Sequence, residues 1–345
     1  MNSEINTADS QDILLEVKGL KTHFLLSEGV LKAVDGVDFT ISKGESLGLI
    51  GESGSGKSVT AMSLLSLISS PGEIVGGSIN LHYDDEKIDI TSLNPSGKDI
   101  RKIRGNDLAM IFQEPMTSLS PVHTIGAQLE EAIFLHRTKN KSEARVIAID
   151  MLRCAGIANP EQRFNAYPHQ LSGGMRQRAM IAIALSCQPK ILIADEPTTA
   201  LDVTIQAQIL DLIKDLQAQF NMAVLYITHD LGVIAEVCDN VAVMYLGKIV
   251  EYGAVREIFK NPKHPYTISL LKSRPRMTKR GTERLASIEG SIPIPIDLPF
   301  QCRFADRCSE VMLGRCDIAE PEMSQAGNKP GNNHWVRCFL NEKLD

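Results

Sequence analysis

This 345-residue sequence predicts an α/β fold with a parallel core, and three observations point there. The first is a short apolar run, SLGLI (46–50), followed by GESGSGKS (51–58) and then by KSVTAMSLLSLIS (57–69), whose apolar residues recur at helical spacing. The second is that short apolar strands alternate with helical patterns from this loop to IFQEP (111–115), and again from LSGG (171–174) to about Gly253. The third is that residues 114–170, between those two runs, carry helical patterns such as IGAQLEEAIFLHR and SEARVIAIDMLRCAG with no strand signal.

In chain order, residues 1–11 read as a polar tail. ILLEVKGLKTHF and VDFTISKGE read as strands of an antiparallel sheet that leads into the loop strand. In VTIQAQILDLIKDLQAQF (203–220), Ile205, Ile209, Leu212, Ile213 and Leu216 form one apolar stripe, as expected of a helix packed on a sheet and of nothing more. VAVMYLGKIVEYG (241–253) reads as a hairpin with Gly247-Lys248 between two strands, closing the core. Beyond it the α/β rhythm stops. NPKHPYT (261–267) reads as a linker, KSRPRMTKR (272–280) as a basic solvated segment, and GSIPIPIDLPFQCRF (290–304) contains three prolines that forbid helix.

Composition narrows the class. With 43% apolar and 23% charged residues the chain is neither fibrous nor disordered, and a formal net charge of −6 argues against a general nucleic-acid-binding surface. No apolar run approaches the roughly 18 residues that span a bilayer, and the amino end lacks the plan of a secretory signal, so a cytosolic chain is expected. Cys154, Cys187 and Cys238 sit singly in apolar contexts and are expected to be inert core thiols. Cys302, Cys308, Cys316 and Cys338 crowd into the carboxyl end, which in a reducing compartment suggests a metal before disulfides.

The chemistry begins at the loop. A strand, then Gly51-x4-Gly56-Lys57-Ser58, then a helix turns successive backbone N–H groups and a helix N-terminus toward a phosphate chain. Lys57 would reach the terminal phosphates and Ser58 would offer its hydroxyl to Mg²⁺. KILIADEP (190–197) supplies the carboxylates that such a site needs: Asp195 to hold Mg²⁺ through its water shell and Glu196 to polarise the attacking water. LSGGMRQR (171–178) places Ser172, Gly173 and Gly174 at the start of a helical run, a second anion site. One triphosphate does not need two such sites in one chain, so the second is expected to serve a nucleotide held by another subunit.

LSGGMRQR resembles the signature motif of the ABC ATPases, and the family's other elements follow in the family order: Gln113 as the Q-loop, Asp195 and Glu196 as Walker B, TALD (199–202) as the D-loop and His229 in YITHD as the switch histidine. Phe24, in KTHF, matches the aromatic that stacks on adenine. The resemblance implies a P-loop NTPase core with an antiparallel β subdomain and a helical subdomain. It implies ATP and Mg²⁺ held by Gly51, Ser53, Gly54, Gly56, Lys57, Ser58, Val59, Gln113 and Asp195, with Glu196, His229 and Gln113 serving hydrolysis. Ser172, Gly173 and Gly174 would contact the nucleotide of a head-to-tail partner ATPase, in a homodimer or a heterodimer. Two membrane permease subunits and a solute-binding protein would complete the assembly at the cytoplasmic face of the inner membrane, with no nucleic acid.

HPYT, QCRFADRC (301–308) and the final cysteine are similar to the extension of the oligopeptide/dipeptide importer ATPases, whose relatives also serve nickel and oligosaccharide importers; MIFQEPMTSLSP (110–121) strengthens the match, although Ser120 stands where asparagine is usual. The implied division is an ATPase domain at 11–255, with its helical subdomain at about 114–170, and a small cysteine-rich extension at 256–345. The spacing Cys302-x5-Cys308-x7-Cys316-x21-Cys338 lacks the paired C-x2-C of a zinc ribbon and names no metal by itself. The resemblance implies a four-iron four-sulfur cluster, with zinc or free thiols as alternatives, in a scaffolding role near the partner ATPase. The rival functions are a soluble ABC ATPase acting on nucleic acid or ribosomes, and an iron–sulfur redox protein with a regulatory ATPase core.

Overall fold

The computed structural model describes residues 12–83, 86–113, 118–199, 201–273, 288, 290–327 and 333–342. The polar tail 1–11 and most of the basic run 272–280 lie outside them. The chain divides into two compact units, one holding the described residues of 1–41, 47–91 and 228–345, the other those of 42–46 and 92–227.

The first unit opens with β1 (Ile13–Leu26) and β2 (Gly29–Ser42). Then come β3 (Ser46–Ile50), α1 (Lys57–Leu64), β4 (Gly72–His82) and β5 (Lys87–Asp89). An antiparallel sheet runs in the order β2-β1-β4-β5, with Leu15 opposite Leu81 and Phe24 opposite Gly72. All five residues of β3 are buried, as its unbroken apolar run requires. Helix α1 stops at Leu64 and not at Ser69: Ser66 turns to φ +51° and the Leu67 N–H closes back on the Met62 carbonyl. Pro71 just beyond would have opposed any extension.

In the second unit, α2 (Lys98–Ile103) and β6 (Leu108–Ile111) are followed by the strandless helices α3 (Ile125–His136), α4 (Lys141–Cys154) and α5 (Pro160–Phe164). Their starts are capped: Thr124 accepts from the Ala127 N–H, Asn140 from Ser142 and Glu143, and Pro160 opens α5. Helix α4 buries Ala144, Ala148, Met151 and Leu152, the spacing of one face. Its last residue, Cys154, is exposed, contrary to the core position expected of it: it lies about 100° round the helix from the buried stripe, which Ala155 continues. Then come α6 (Gly173–Leu185), β7 (Ile191–Asp195), α7 (Val203–Phe220) and β8 (Ala223–Thr228). Strands β6, β7 and β8 are parallel neighbours and almost wholly buried. On α7 the stripe is narrower than the pattern suggested: Ile209, Leu210, Ile213 and Leu216 are buried, while Ile205 and Leu212 are half-buried.

The chain returns to the first unit through α8 (Leu231–Val237), β9 (Asn240–Tyr245) and β10 (Lys248–Ala254). Strand β9 runs parallel to β3 and antiparallel to β10. The turn residues of this hairpin are Leu246 and Gly247, at φ +42° and +79°, so Lys248 already belongs to the strand. Two short helices follow, α9 (Val255–Lys260) and α10 (Pro265–Lys272), then β11 (Ser324–Gln325) and β12 (Trp335–Val336). Strand β12 pairs with β10, so the carboxyl end extends the order β12-β10-β9-β3. NPKHPYT is not a linker: His264, Tyr266 and Thr267 are buried, and His264 caps α10 by accepting the Tyr266 N–H. Polar side chains made the stretch look solvated, but the Tyr266 hydroxyl accepts the backbone N–H of Glu52, 214 residues away.

Candidate active site

In the first unit, the loop 51–56 leaves β3 and delivers Lys57 to the first position of α1. Gly56 is the residue before the helix, at φ +105°, and a Cβ there would meet the Ala33 carbonyl oxygen at 2.2 Å. At Gly51 a Cβ would meet the Met244 carbonyl oxygen, also at 2.2 Å. The loop is thus wedged against the backbone of its own unit at both ends, which only glycine permits. The Lys57 ammonium donates to the carbonyls of Gly51 (2.8 Å) and Glu52 (2.9 Å) and is held over the loop. Ser53, Gly54 and Ser58 are exposed and Val59 is half-buried, so this part of the loop faces outward. Phe24 is half-buried on β1, its ring over Gly72 of β4. His229 is exposed and precedes Asp230, whose carboxylate caps α8 through the Gly232 N–H at 2.7 Å.

In the second unit, Asp195 ends β7 and is buried, and Glu196 follows with φ +46°. A left-handed backbone at a non-glycine residue is strained and needs restraints. Three are present: the Glu196 N–H donates to the Ile227 carbonyl (2.8 Å), and its carboxylate Oε2 accepts from Gln113 Nε2 (2.8 Å) and Thr199 Oγ1 (2.8 Å). Gln113 and Glu196, which are 83 residues apart, are brought together. Ser172 is the N-cap of α6, its hydroxyl accepting the Met175 N–H at 3.4 Å. A Cβ on Gly174 would approach Ile205 at 3.2 Å, whereas one on Gly173 would meet nothing within 4 Å. Packing within this chain therefore does not account for Gly173.

Comparison with known proteins agrees with the family resemblance. Residues 34–199 match the ABC transporter family, and residues 250–316 match the oligopeptide/dipeptide transporter C-terminal region. The oligopeptide transport ATP-binding protein AppD of Bacillus subtilis is 53% identical over 96% of this chain and 97% of its own length. The chain belongs to the ABC transporter ATPases. The dipeptide transport ATP-binding protein DppD of Haemophilus influenzae is 44% identical over 96% of this chain and 97% of its own. Among solved structures, the dimeric ABC transporter cassette MJ0796 superposes with a TM-score of 0.61 at 28% identity, covering 70% of this chain and 99% of that one.

In this ABC ATPase the cysteine-rich end has its own chemistry. Burial pushes the Cys302 and Cys338 thiols up to about 11, and neighbouring cysteines push in the same direction. Burial likewise raises Cys308. Backbone hydrogen bonds oppose this, from Phe304 and Ala305 at Cys302, Glu310 at Cys308 and Leu340 at Cys338; the Met312 N–H donates to Cys316 Sγ at 3.4 Å. Among the described residues no group of three or more His, Cys, Asp or Glu is gathered to hold a metal ion. The four thiols influence one another, and each accepts a backbone N–H at its sulfur. Sequence reasoning missed Glu52, Tyr266 and Arg307, which meet at the phosphate loop (Tyr266 Oη and Arg307 Nη1 at 2.9 and 2.8 Å from Glu52) across more than 200 residues, and no local pattern announced them.

Proposed function

We propose that this ATPase energises import of di- or oligopeptides, working as one of two head-to-tail ATP-binding subunits beneath two membrane permeases fed by a solute-binding protein. The carrying observation is that a glycine-wedged phosphate loop with Lys57 and a glutamate held at its carboxylate by Gln113 occur in one chain. Relatives along nearly its whole length are named for oligopeptide and dipeptide transport, which favours peptides over nickel or oligosaccharides. No helix among the described residues is long and apolar enough to cross a membrane. The place proposed for the chain is the cytoplasmic face of its permeases.

In this reading Gly51, Ser53, Gly54, Gly56, Lys57, Ser58 and Val59 hold the phosphates, and Phe24 carries the adenine. Ser58, Gln113 and Asp195 are the residues that would hold Mg²⁺ when it is bound with ATP. Glu196 takes the proton of the attacking water, with the Gln113 and Thr199 hydrogen bonds fixing its carboxylate, and His229 orders the γ-phosphate side. Ser172, Gly173 and Gly174 present a helix N-terminus to the partner's triphosphate, and the open space at Gly173 leaves room for it. ATP bound between the two chains joins them, and its cleavage lets them part. The domain division proposed is 11–255 for the ATPase, with helices at about 114–170, and 256–345 for the extension. Cys302, Cys308, Cys316 and Cys338 would hold a four-iron four-sulfur cluster whose contribution is to cross-link the extension, since hydrolysis requires no electron.

The test is Glu196→Gln in the chain assembled with its membrane subunits. Turnover should fall by about 10²-fold or more, while MgATP still drives a stable two-chain species in size-exclusion chromatography. A variant hydrolysing at the parental rate removes Glu196 from this role. For the cargo, ATP turnover in reconstituted vesicles should rise with a peptide-loaded binding protein; stimulation by nickel alone would reassign it.

A further inference from the structure

Glu52 is the second residue of the phosphate loop, and its backbone and side chain are gripped from outside the loop. Its N–H donates to Tyr266 Oη at 2.9 Å. Its carboxylate receives the guanidinium fork of Arg307, at 2.8 Å to Oε2 and 3.2 Å to Oε1. Its carbonyl accepts the Lys57 ammonium at 2.9 Å.

The two outer handles belong to the carboxyl end. Tyr266 is fully buried on α10, its ring 4.6 Å from that of Tyr245 and 5.4 Å from that of Phe304. Arg307, only 5% exposed at its side chain, ends a short turn whose Ala305 N–H is bonded to the Cys302 carbonyl, and it also reaches Tyr245 Oη at 3.4 Å. Neither residue belongs to a nucleotide motif.

Two physical consequences follow. A loop that binds phosphate through backbone amides binds best when those amides are already arranged, and the Tyr266 and Arg307 contacts fix the segment that carries them. A carboxylate beside a triphosphate repels it, and a bidentate guanidinium offsets that charge as well as orienting it.

We propose that the C-terminal extension preorganises the phosphate loop through Arg307 and Tyr266, which are positioning residues for ATP. The proposal rests on residues 51–58 being the triphosphate site. Steady-state hydrolysis of MgATP by the assembled transporter tests it. Arg307→Ala should raise KM for ATP about tenfold with a far smaller change in kcat, and Arg307→Lys, which keeps the charge but not the fork, should fall between it and the parent. Adding Glu52→Ala to Arg307→Ala should bring KM back toward the parental value, because the uncompensated carboxylate is gone.

A purely structural role for Arg307 would give no such rescue, so an unrelieved KM, or a parental KM for Arg307→Ala, overturns the proposal. Should Arg307→Ala fail to fold, Tyr266→Phe decides: about a threefold rise in KM with an unchanged melting midpoint supports the clamp, and a parental KM sinks it. Lys57→Ala separates the two failures. If it retains parental ATP affinity the loop assignment is wrong, whereas loss of affinity there with no effect at Arg307 and Tyr266 condemns the clamp alone.

Discussion

Glu251 shows how a few residues set the behaviour of the carboxyl end. It is wholly buried on β10, accepts the backbone N–H groups of Lys263 (2.7 Å) and His264 (3.0 Å), and lies 2.7 Å from His334 Nε2. His264 beside it is held neutral: burial lowers its pKa from 6.5 to about 4, against the opposing pull of Glu251 and of its hydrogen bond to the Arg337 backbone. The unfolded chain protonates His264 below 6.5, the folded chain only below about 4. Between those values the unfolded state binds more protons, so stability falls as pH drops through the window, by at most ~3 kcal/mol for this residue. His264→Asn, which can still cap α10 but does not titrate, should therefore lose less of its melting midpoint than the parent between pH 7 and pH 4.5. Parallel decline in both proteins would show that another group is responsible. Glu196 makes a different point at this scale, since its left-handed backbone is maintained by three hydrogen bonds where the proposed chemistry needs a fixed carboxylate.

Among the elements, α6 is the one whose two roles can be pulled apart. Its N-cap, Ser172, stabilises the helix, and the same residue is proposed to face a partner's triphosphate. Ser172→Asp preserves capping, because aspartate ranks with serine at that position, yet it puts a negative charge where phosphate should come. The variant should keep its melting stability within about 1 kcal/mol while losing ATP-driven dimerisation and turnover. Dimerisation at the parental ATP concentration would exclude Ser172 from the interface. Helix α10 carries the opposite lesson. Its Pro265 at the first position and histidine cap are legitimate start signals, but the preceding Asn-Pro-Lys made the segment read as a linker. Tyr266 is buried against Tyr245 and Phe304, and nothing within the local sequence encodes that.

For the molecule as a whole, the extension is fastened at several points to the rest of the first unit, of which it is part. Arg303 bridges Asp35 (2.6 Å) and Glu320 (2.8 Å), Lys248 pairs with Glu320 at 3.0 Å, and β12 adds to β10. Replacing Cys302, Cys308, Cys316 and Cys338 together by serine should abolish a brown chromophore and about four irons per anaerobically purified chain, and lower the melting midpoint. One zinc per chain, or no metal in the parent, would overturn the cluster. What the sequence determined by itself was whatever is encoded by neighbours: the phosphate loop between β3 and α1, the acidic end of β7, the capped start of α6 and the parallel strands, because backbone geometry and helix termini depend on residues a few positions apart. Tertiary structure alone decided that Gln113 holds Glu196, that HPYT is core, and that Arg307 and Tyr266 grip Glu52. Those contacts join residues 83 to 255 positions apart, and side-chain partners at such separations are chosen by chain folding and not by local pattern.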